Sequence, residues 1–235
     1  ASAVNSSFSG MPADSEIEFA LATIAPNGNC FNGITRTDSY FTYQGNNGGD
    51  QVQAVIDGND IYNNSWPGDE YLNIFVASDI GGAAGYTTNP GFFTGMENGI
   101  WIQHSYVGSM GTGSPSRSRA LTHEVGHWLN LSHCWGPSNN PGLSSNCGDD
   151  DGVNDTPECI GVTACLLTSN SCSGDNGYWG FNQIDNVENY MEYSYCSKMY
   201  TQGQVDRMRI ALTSTTGGRN NIWQPSNLVA VGADA

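Results

Sequence analysis

The sequence predicts a mixed α/β fold of the α+β kind, with strands in the first half and helices placed late. Three observations carry this. Short apolar runs at period two recur up to about residue 108, and the period becomes helical after Ser114. From Trp135 to about Asn186 there is little periodicity, until a second helical pattern closes the chain. At 235 residues the chain is long enough for a sizeable core and fits a single domain, 1–235, with an N-terminal part to residue 133 and a C-terminal part from 134.

The elements follow in order. "EIEFALATI" (16–24) places Ile17, Phe19 and Leu21 at alternate positions and reads as a strand. "APNGNCFNG" and "YQGNNGGD" are Asn/Gly-rich loops, and a short helix is expected around Val52 to Ile56. "YLNIFVASDI" (71–80) is a second strand. "NGIWIQHSYVG" (98–108) is a third, with Ile100, Ile102 and His104 on one face. Ser114 followed by Pro115 reads as an N-cap and first helical residue, and Leu121, Val125, Trp128 and Leu129 repeat at helical spacing. Such a long irregular stretch as 135–186 needs external staples, either disulfides or ions. "GQVDRMRIALTST" (203–215) closes the chain as an amphipathic helix, with Val205, Met208, Ile210, Ala211 and Leu212 mostly inward.

Acids outnumber bases 23 to 7, Lys198 is the only lysine, and the formal charge is −16. Nucleic acid and anionic membranes both reward clustered Lys and Arg, so neither is an expected partner. Six of the seven cysteines lie between Cys134 and Cys196, which fits an oxidising, extracellular setting. The start of the chain has no basic or apolar leader and no stretch is long enough to span a membrane, so the mature part of a secreted protein is expected. A monomer is the expected state, although the sequence does not fix it.

"HEVGHWLNLSH" (123–133) holds three of the four histidines. His123 and His127, four apart on a helix, project from one face and can grip one ion. Glu124 is poorly placed as a third ligand but can reach a water on that metal, which is a catalytic arrangement. His133 completes the ligand set if the helix stops after Leu129 and the chain turns back. Asn130 stands where that turn needs a left-handed residue, and asparagine tolerates that region best among residues with a Cβ. His104 lacks such company and reads as an ordinary strand residue.

The pattern HExxHxx(G/N)xxH resembles the signature of metzincin zinc proteases, which also have a methionine-containing turn downstream; "ENYMEYSYC" (188–196) matches it. With "NCGDDDGVNDTPE", "TQGQVDRMRIAL" and "EIEFALATIAPNGNCFNGITRT" the chain is similar to the pappalysin family, and within it to the bacterial ulilysin-like secreted proteases. The resemblance implies a twisted mixed sheet with an active-site helix, followed by an irregular C-terminal half, and hydrolysis of peptide bonds. Met191 would lie beneath the zinc and Tyr193 would stabilise the oxyanion. It also implies a strand and long helix before residue 16, where only about fifteen residues stand, so either upstream sequence is missing or the sheet is smaller. The segment from Tyr193 to Cys196 has no aspartate, so a preference for basic residues after the cleaved bond is not carried over.

In "CGDDDGVNDTPE" (147–158) the resemblance implies a structural calcium site. Asp151, Thr156 and the Val153 carbonyl are the first candidates, with Asp149 and Asp155 next. Calcium takes six to eight oxygens in such loops; a solvated acidic loop is the alternative. The family also implies a Cys147–Cys172 disulfide and a bond from Cys196 to either Cys159 or Cys165. Cys30 and Cys134 have no assigned partner, Cys134 being expected as a disulfide or buried thiol. The expected function is a secreted zinc endopeptidase acting on proteins or peptides, with Glu124 as general base, Tyr193 as oxyanion donor and the substrate pairing with an edge strand near "GGAAGYTT". A binding or adhesion module stabilised by zinc and calcium but without catalysis is the rival.

Overall fold

A computed structural model describes residues 4–43, 49–87 and 98–234, so most of the Asn/Gly loop expected at 43–50 lies outside the described residues. In chain order the regular elements are α1 (Tyr40–Tyr43), α2 (Gly49–Gly58), β1 (Ile74–Ala77), β2 (Gly85–Thr87), β3 (Ile100–Gln103), α3 (Arg119–Trp128), α4 (Asn176–Trp179), α5 (Gln202–Thr213), α6 (Arg219–Ile222) and α7 (Pro225–Val231). The chain forms two compact units, Ile17–Trp128 with Ala211–Ala235, and Ala1–Glu16 with Leu129–Ile210.

The first of these units is built on a three-stranded mixed sheet in the order β1-β3-β2, with β1 parallel and β2 antiparallel to β3. The register aligns Phe75, Trp101 and Tyr86 across the strands, and their rings stack with centroids 4.4 and 6.4 Å apart. Since side chains alternate between faces, this aromatic row covers one face and Ile100 and Ile102 lie on the other. The row enters a core with Val52, Trp66, Tyr71, Ile80 and Val231. Helix α3 packs on β2 and β3, and Ile100 and Ile102 are fully buried. Among the described residues β2 is therefore an edge strand, and it lies under the α3 helix.

The structure shortens or removes several expected elements. Residues 16–24 form no strand; Thr23 and Ile24 donate to the Val231 carbonyl at 2.9 and 3.0 Å, while Phe19 and Leu21 are 61 % and 64 % exposed. Alternation shows which side chains would share a face, but a strand also needs a neighbour for its backbone groups. The 71–80 strand contracts to β1, and that at 98–108 ends at Gln103, where a 3-10 turn carries His104 to the surface against the Thr112 hydroxyl. The Ser114–Pro115 start forms one separate turn, in which Ser118 N–H donates to the Ser114 carbonyl (2.9 Å), and the α-helix proper begins at Arg119. The short helix around Val52–Ile56 is present as α2. The helix expected to close the chain is present as α5, with Val205, Met208 and Ala211 inward but Ile210 70 % exposed, and it does not close the chain, since α6 and α7 follow it.

The other unit has little regular structure, and its cohesion comes from point contacts. Disulfides join Cys147 to Cys172 and Cys165 to Cys196. The first residues of the chain are tied in by Asn5 N–H to Glu188, Ala13 N–H to the Tyr200 carbonyl, and Arg209 to the Ser15 carbonyl. Helix α5 starts with a capping box: Thr201 Oγ1 accepts from Gln204 N–H (3.3 Å) and Gln204 Oε1 accepts from Thr201 N–H (3.0 Å). No helix among the described residues is long and apolar enough to cross a membrane.

Candidate active site

Helix α3 supplies the first part of the site. His123 and His127 lie one turn apart with ring centroids 4.7 Å apart and planes at 86°. Glu124 is buried, and its Oε2 has no hydrogen-bond partner. Burial lifts its carboxyl to about 8, against a smaller opposing effect of the Thr87 hydroxyl on β2. Beneath the carboxyl lies the bare backbone of Gly85.

The helix stops where the motif requires it to. The Trp128 carbonyl at its C-terminus accepts from the Arg219 guanidinium (Nε, 2.9 Å), which also lies 4.4 Å over the Trp128 ring. A cation at a helix C-terminus meets the negative end of the dipole, so this contact closes α3 favourably. Two residues on, Asn130 adopts φ 72°, the left-handed turn expected of it, and its carbonyl accepts from Arg207 Nε at 2.7 Å. The chain then reaches His133, whose Nδ1 is 3.0 Å from the Ser138 carbonyl. A carbonyl can only accept, so the proton is on Nδ1 and Nε2 is left as the ligand atom. Trp135 stacks on the His133 ring at 4.3 Å and 3° and donates to the same Ser138 carbonyl at 2.7 Å. Within the continuous stretch 123–133, one ligand nitrogen from each of the three histidines lies within 4.8 Å of the others.

Met191 is fully buried, takes Asn189 Oδ1 on its N–H (2.8 Å), and its carbonyl accepts from Cys134 N–H (3.4 Å), beside His133. The Asn189 amide pairs with Gln204 of the capping box at 2.9 and 3.1 Å, so the methionine turn is fastened to the start of α5. Tyr193 stands edge-on to His133 and Trp135, both at 4.9 Å, and is 41 % exposed.

In the acidic loop, Thr156 Oγ1 lies 2.9 and 2.8 Å from the two Asp151 oxygens and 2.6 Å from the Val153 carbonyl. One hydroxyl proton serves only one of those three acceptors. Burial raises the Asp151 carboxyl to about 7. Asp155 instead faces α5, accepting from Thr201 Oγ1 (2.7 Å) and Gly203 N–H (2.9 Å), and Asp149 is exposed. Cys165, rather than Cys159, pairs with Cys196. Cys159 and Cys134 are buried thiols and Cys30 is an exposed one. Cys159 donates to Glu192 at 2.9 Å, and burial pushes the Glu192 carboxyl to about 7.

The closeness of Gly85 and Thr87 to Glu124, and the parts played by Trp135, Ser138, Arg207 and Arg219, were not anticipated from sequence. Part of this was legible: Thr201-x-x-Gln204 is a capping-box pattern, and a glycine inside a strand marks close approach. The two arginines gave no local signal, since they act on carbonyls distant in sequence.

Residues 56–213 match the family model described as Peptidase_M43, pregnancy-associated plasma protein-A. Extracellular metalloprotease 1 of Coccidioides posadasii is 36% identical over 146 residues, 58% of this chain and 48% of that protein. An extracellular metalloprotease of Colletotrichum graminicola is 32% identical over 146 residues, 58% and 47%. The match thus spans about half the length of these relatives. Among solved structures, mature mirolysin of Tannerella forsythia in complex with a cleaved peptide superposes with a TM-score of 0.75 at 30% identity, covering 96% of this chain and 81% of that one. Mirolysin in complex with compound 9 gives 0.72 at 30% identity, covering 97% and 82%.

Proposed function

Since the chain belongs to the Peptidase_M43 family of metalloproteases, we propose that it is a secreted zinc-dependent endopeptidase in which His123, His127 and His133 hold the metal and Glu124 is the general base. The observation that carries this reading is the pairing of the histidine cluster with a buried carboxylate oxygen, Glu124 Oε2, that has no partner of its own. Three neutral imidazoles are a donor set suited to zinc, and they leave a coordination position open. The bond from His133 Nδ1–H to Ser138 fits that role, because the second nitrogen of a ligating histidine is ordinarily held in this way.

Zinc, when bound, supplies a Lewis acid that acidifies water and polarises the peptide carbonyl. Glu124 Oε2 takes the proton of the attacking water and delivers it to the departing amide nitrogen. Tyr193 Oη donates to the oxyanion, and the Trp135 stack holds the His133 ring in orientation. An extended peptide adds to the edge strand β2 through main-chain hydrogen bonds, which read backbone and leave side-chain choice to neighbouring pockets. Asp151, Thr156 and the Val153 carbonyl hold a calcium ion, with Asp149 and Asp155 as further candidates. A cation there relieves the surplus of acceptors around the Thr156 hydroxyl and lets Asp151 ionise. The names of the fungal relatives support secretion, and the protein acts as a monomer.

Casein digestion with and without a chelator, alongside Glu124→Ala, tests the reading. Cleavage should stop on chelation and return with zinc, and the variant should bind zinc without cleaving. Digestion by the variant at the parental rate would overturn it.

A further inference from the structure

We infer that Gly85 is a positioning residue for Glu124: the missing side chain on the edge strand is what allows the Glu124 carboxyl to sit where it does. The inference rests on the reading of Glu124 as general base. Glycine in a strand is unfavourable, because it loses more backbone freedom on folding and packs nothing. Positive φ is the usual compensation, and Gly85 does not have it; its strand conformation is open to any residue. Close approach explains it instead. A Cβ built on Gly85 would lie 2.8 Å from Glu124 Cγ, 2.9 Å from Oε1 and 3.1 Å from Cδ, so all three of its nearest neighbours belong to that one side chain.

The direction of displacement follows from which partner is held. Strand β2 is fixed by its pairing with β3, Gly85 opposite Ile102 and Tyr86 opposite Trp101, with Gln103 N–H on the Ala84 carbonyl at 2.9 Å. The Glu124 carboxyl is the end of a flexible chain, and its Oε2 makes no hydrogen bond that would resist movement. A methyl group at position 85 therefore shifts the carboxyl and leaves the strand in place. The expected result is a folded, metal-competent protein whose base is misplaced.

The test is a double-variant cycle of Gly85→Ala and Glu124→Ala, read by zinc content, melting temperature and peptide kinetics. Gly85→Ala alone should keep parental zinc content and lower kcat about 10- to 100-fold, as displacements on the order of an ångström at a reacting group do, with KM changed by less than about threefold. It should lower the melting temperature relative to its effect in the Glu124→Ala background, where no Cγ remains to collide. Parental kcat in Gly85→Ala, or equal melting shifts in the two backgrounds, would overturn the inference. Should Glu124→Ala cleave normally, the assignment of the base fails, and the melting cycle still reports whether Gly85 acts through Glu124.

Discussion

Glu124 and His133 show how single residues are prepared for the chemistry. Glu124 is a carboxyl without a cation beside it among the described contacts, and burial holds it up at about 8; a metal at the neighbouring imidazoles favours the ionised form a base needs. Replacement of Glu124 by alanine should cost about 10²- to 10⁴-fold in kcat, the usual range for a positioned acid–base group. Zinc content, by elemental analysis, should be unchanged. Tyr193→Phe removes the hydroxyl proposed as oxyanion donor and should lower kcat about 10²- to 10³-fold with little change in zinc affinity. The clustering of His123 and His127 was legible because helical spacing fixes which side chains share a face, and the return of His133 because Asn130 tolerates the left-handed turn. Ser138 and Trp135 were not, since the turn that returns the chain from His133 to Gly136 has no periodic signature.

At the scale of elements, the site depends on how α3 ends. The Asn130 turn at φ 72° and the Arg207 bond to its carbonyl set the path to His133. Glycine costs nothing in that conformation, whereas alanine pays about 1 to 2 kcal/mol. Asn130→Gly should therefore leave urea stability nearly unchanged, and Asn130→Ala should lower it by roughly 1 kcal/mol. Arg207 also donates to the Asp151 carbonyl at 3.0 Å, so it joins this turn to the acidic loop. Sequence pattern found α2, α3 and α5, whose apolar stripes or caps are local. It overextended the strands: β1 and β3 are shorter than their apolar runs, and residues 16–24 form no ladder among the described residues beyond an isolated bridge of Ile24 to Cys30. Pairing is a property of two segments, and only one of them is visible in a run of alternating residues.

At the scale of the whole molecule, the second half has few periodic contacts and relies on two disulfides and a network of buried polar groups. Two of these are carboxyls raised by burial, Asp151 to about 7 and Glu192 to about 7, and Glu124 on α3 is a third raised carboxyl, at about 8. Each binds its proton more tightly folded than unfolded. Their contribution in metal-free protein is therefore present below about pH 4 and lost as pH rises through 7 to 8, with a slope of up to about 1.4 kcal/mol per pH unit for each group. Thermal melts of stripped protein should show this decline. Bound cations should remove it for Glu124 and Asp151 but not for Glu192, which is held by Cys159 and by Val162 N–H. Calcium removal with zinc kept saturated should lower the melting temperature more at pH 8 than at pH 5; an equal effect at both would argue against Asp151 as a calcium ligand. The need for staples was legible in the long stretch without periodicity. Which cysteine meets Cys196 was not, because that depends on the path of an irregular chain.

The central claim is that one zinc ion at His123, His127 and His133 is the agent through which Glu124 acts. Stepwise removal of zinc by a chelator, with bound metal and peptide cleavage measured on the same samples, tests it most directly. Activity should fall in proportion to zinc, reach zero with the last of the metal and return when zinc is restored. Cleavage that persists undiminished in zinc-free protein would contradict it.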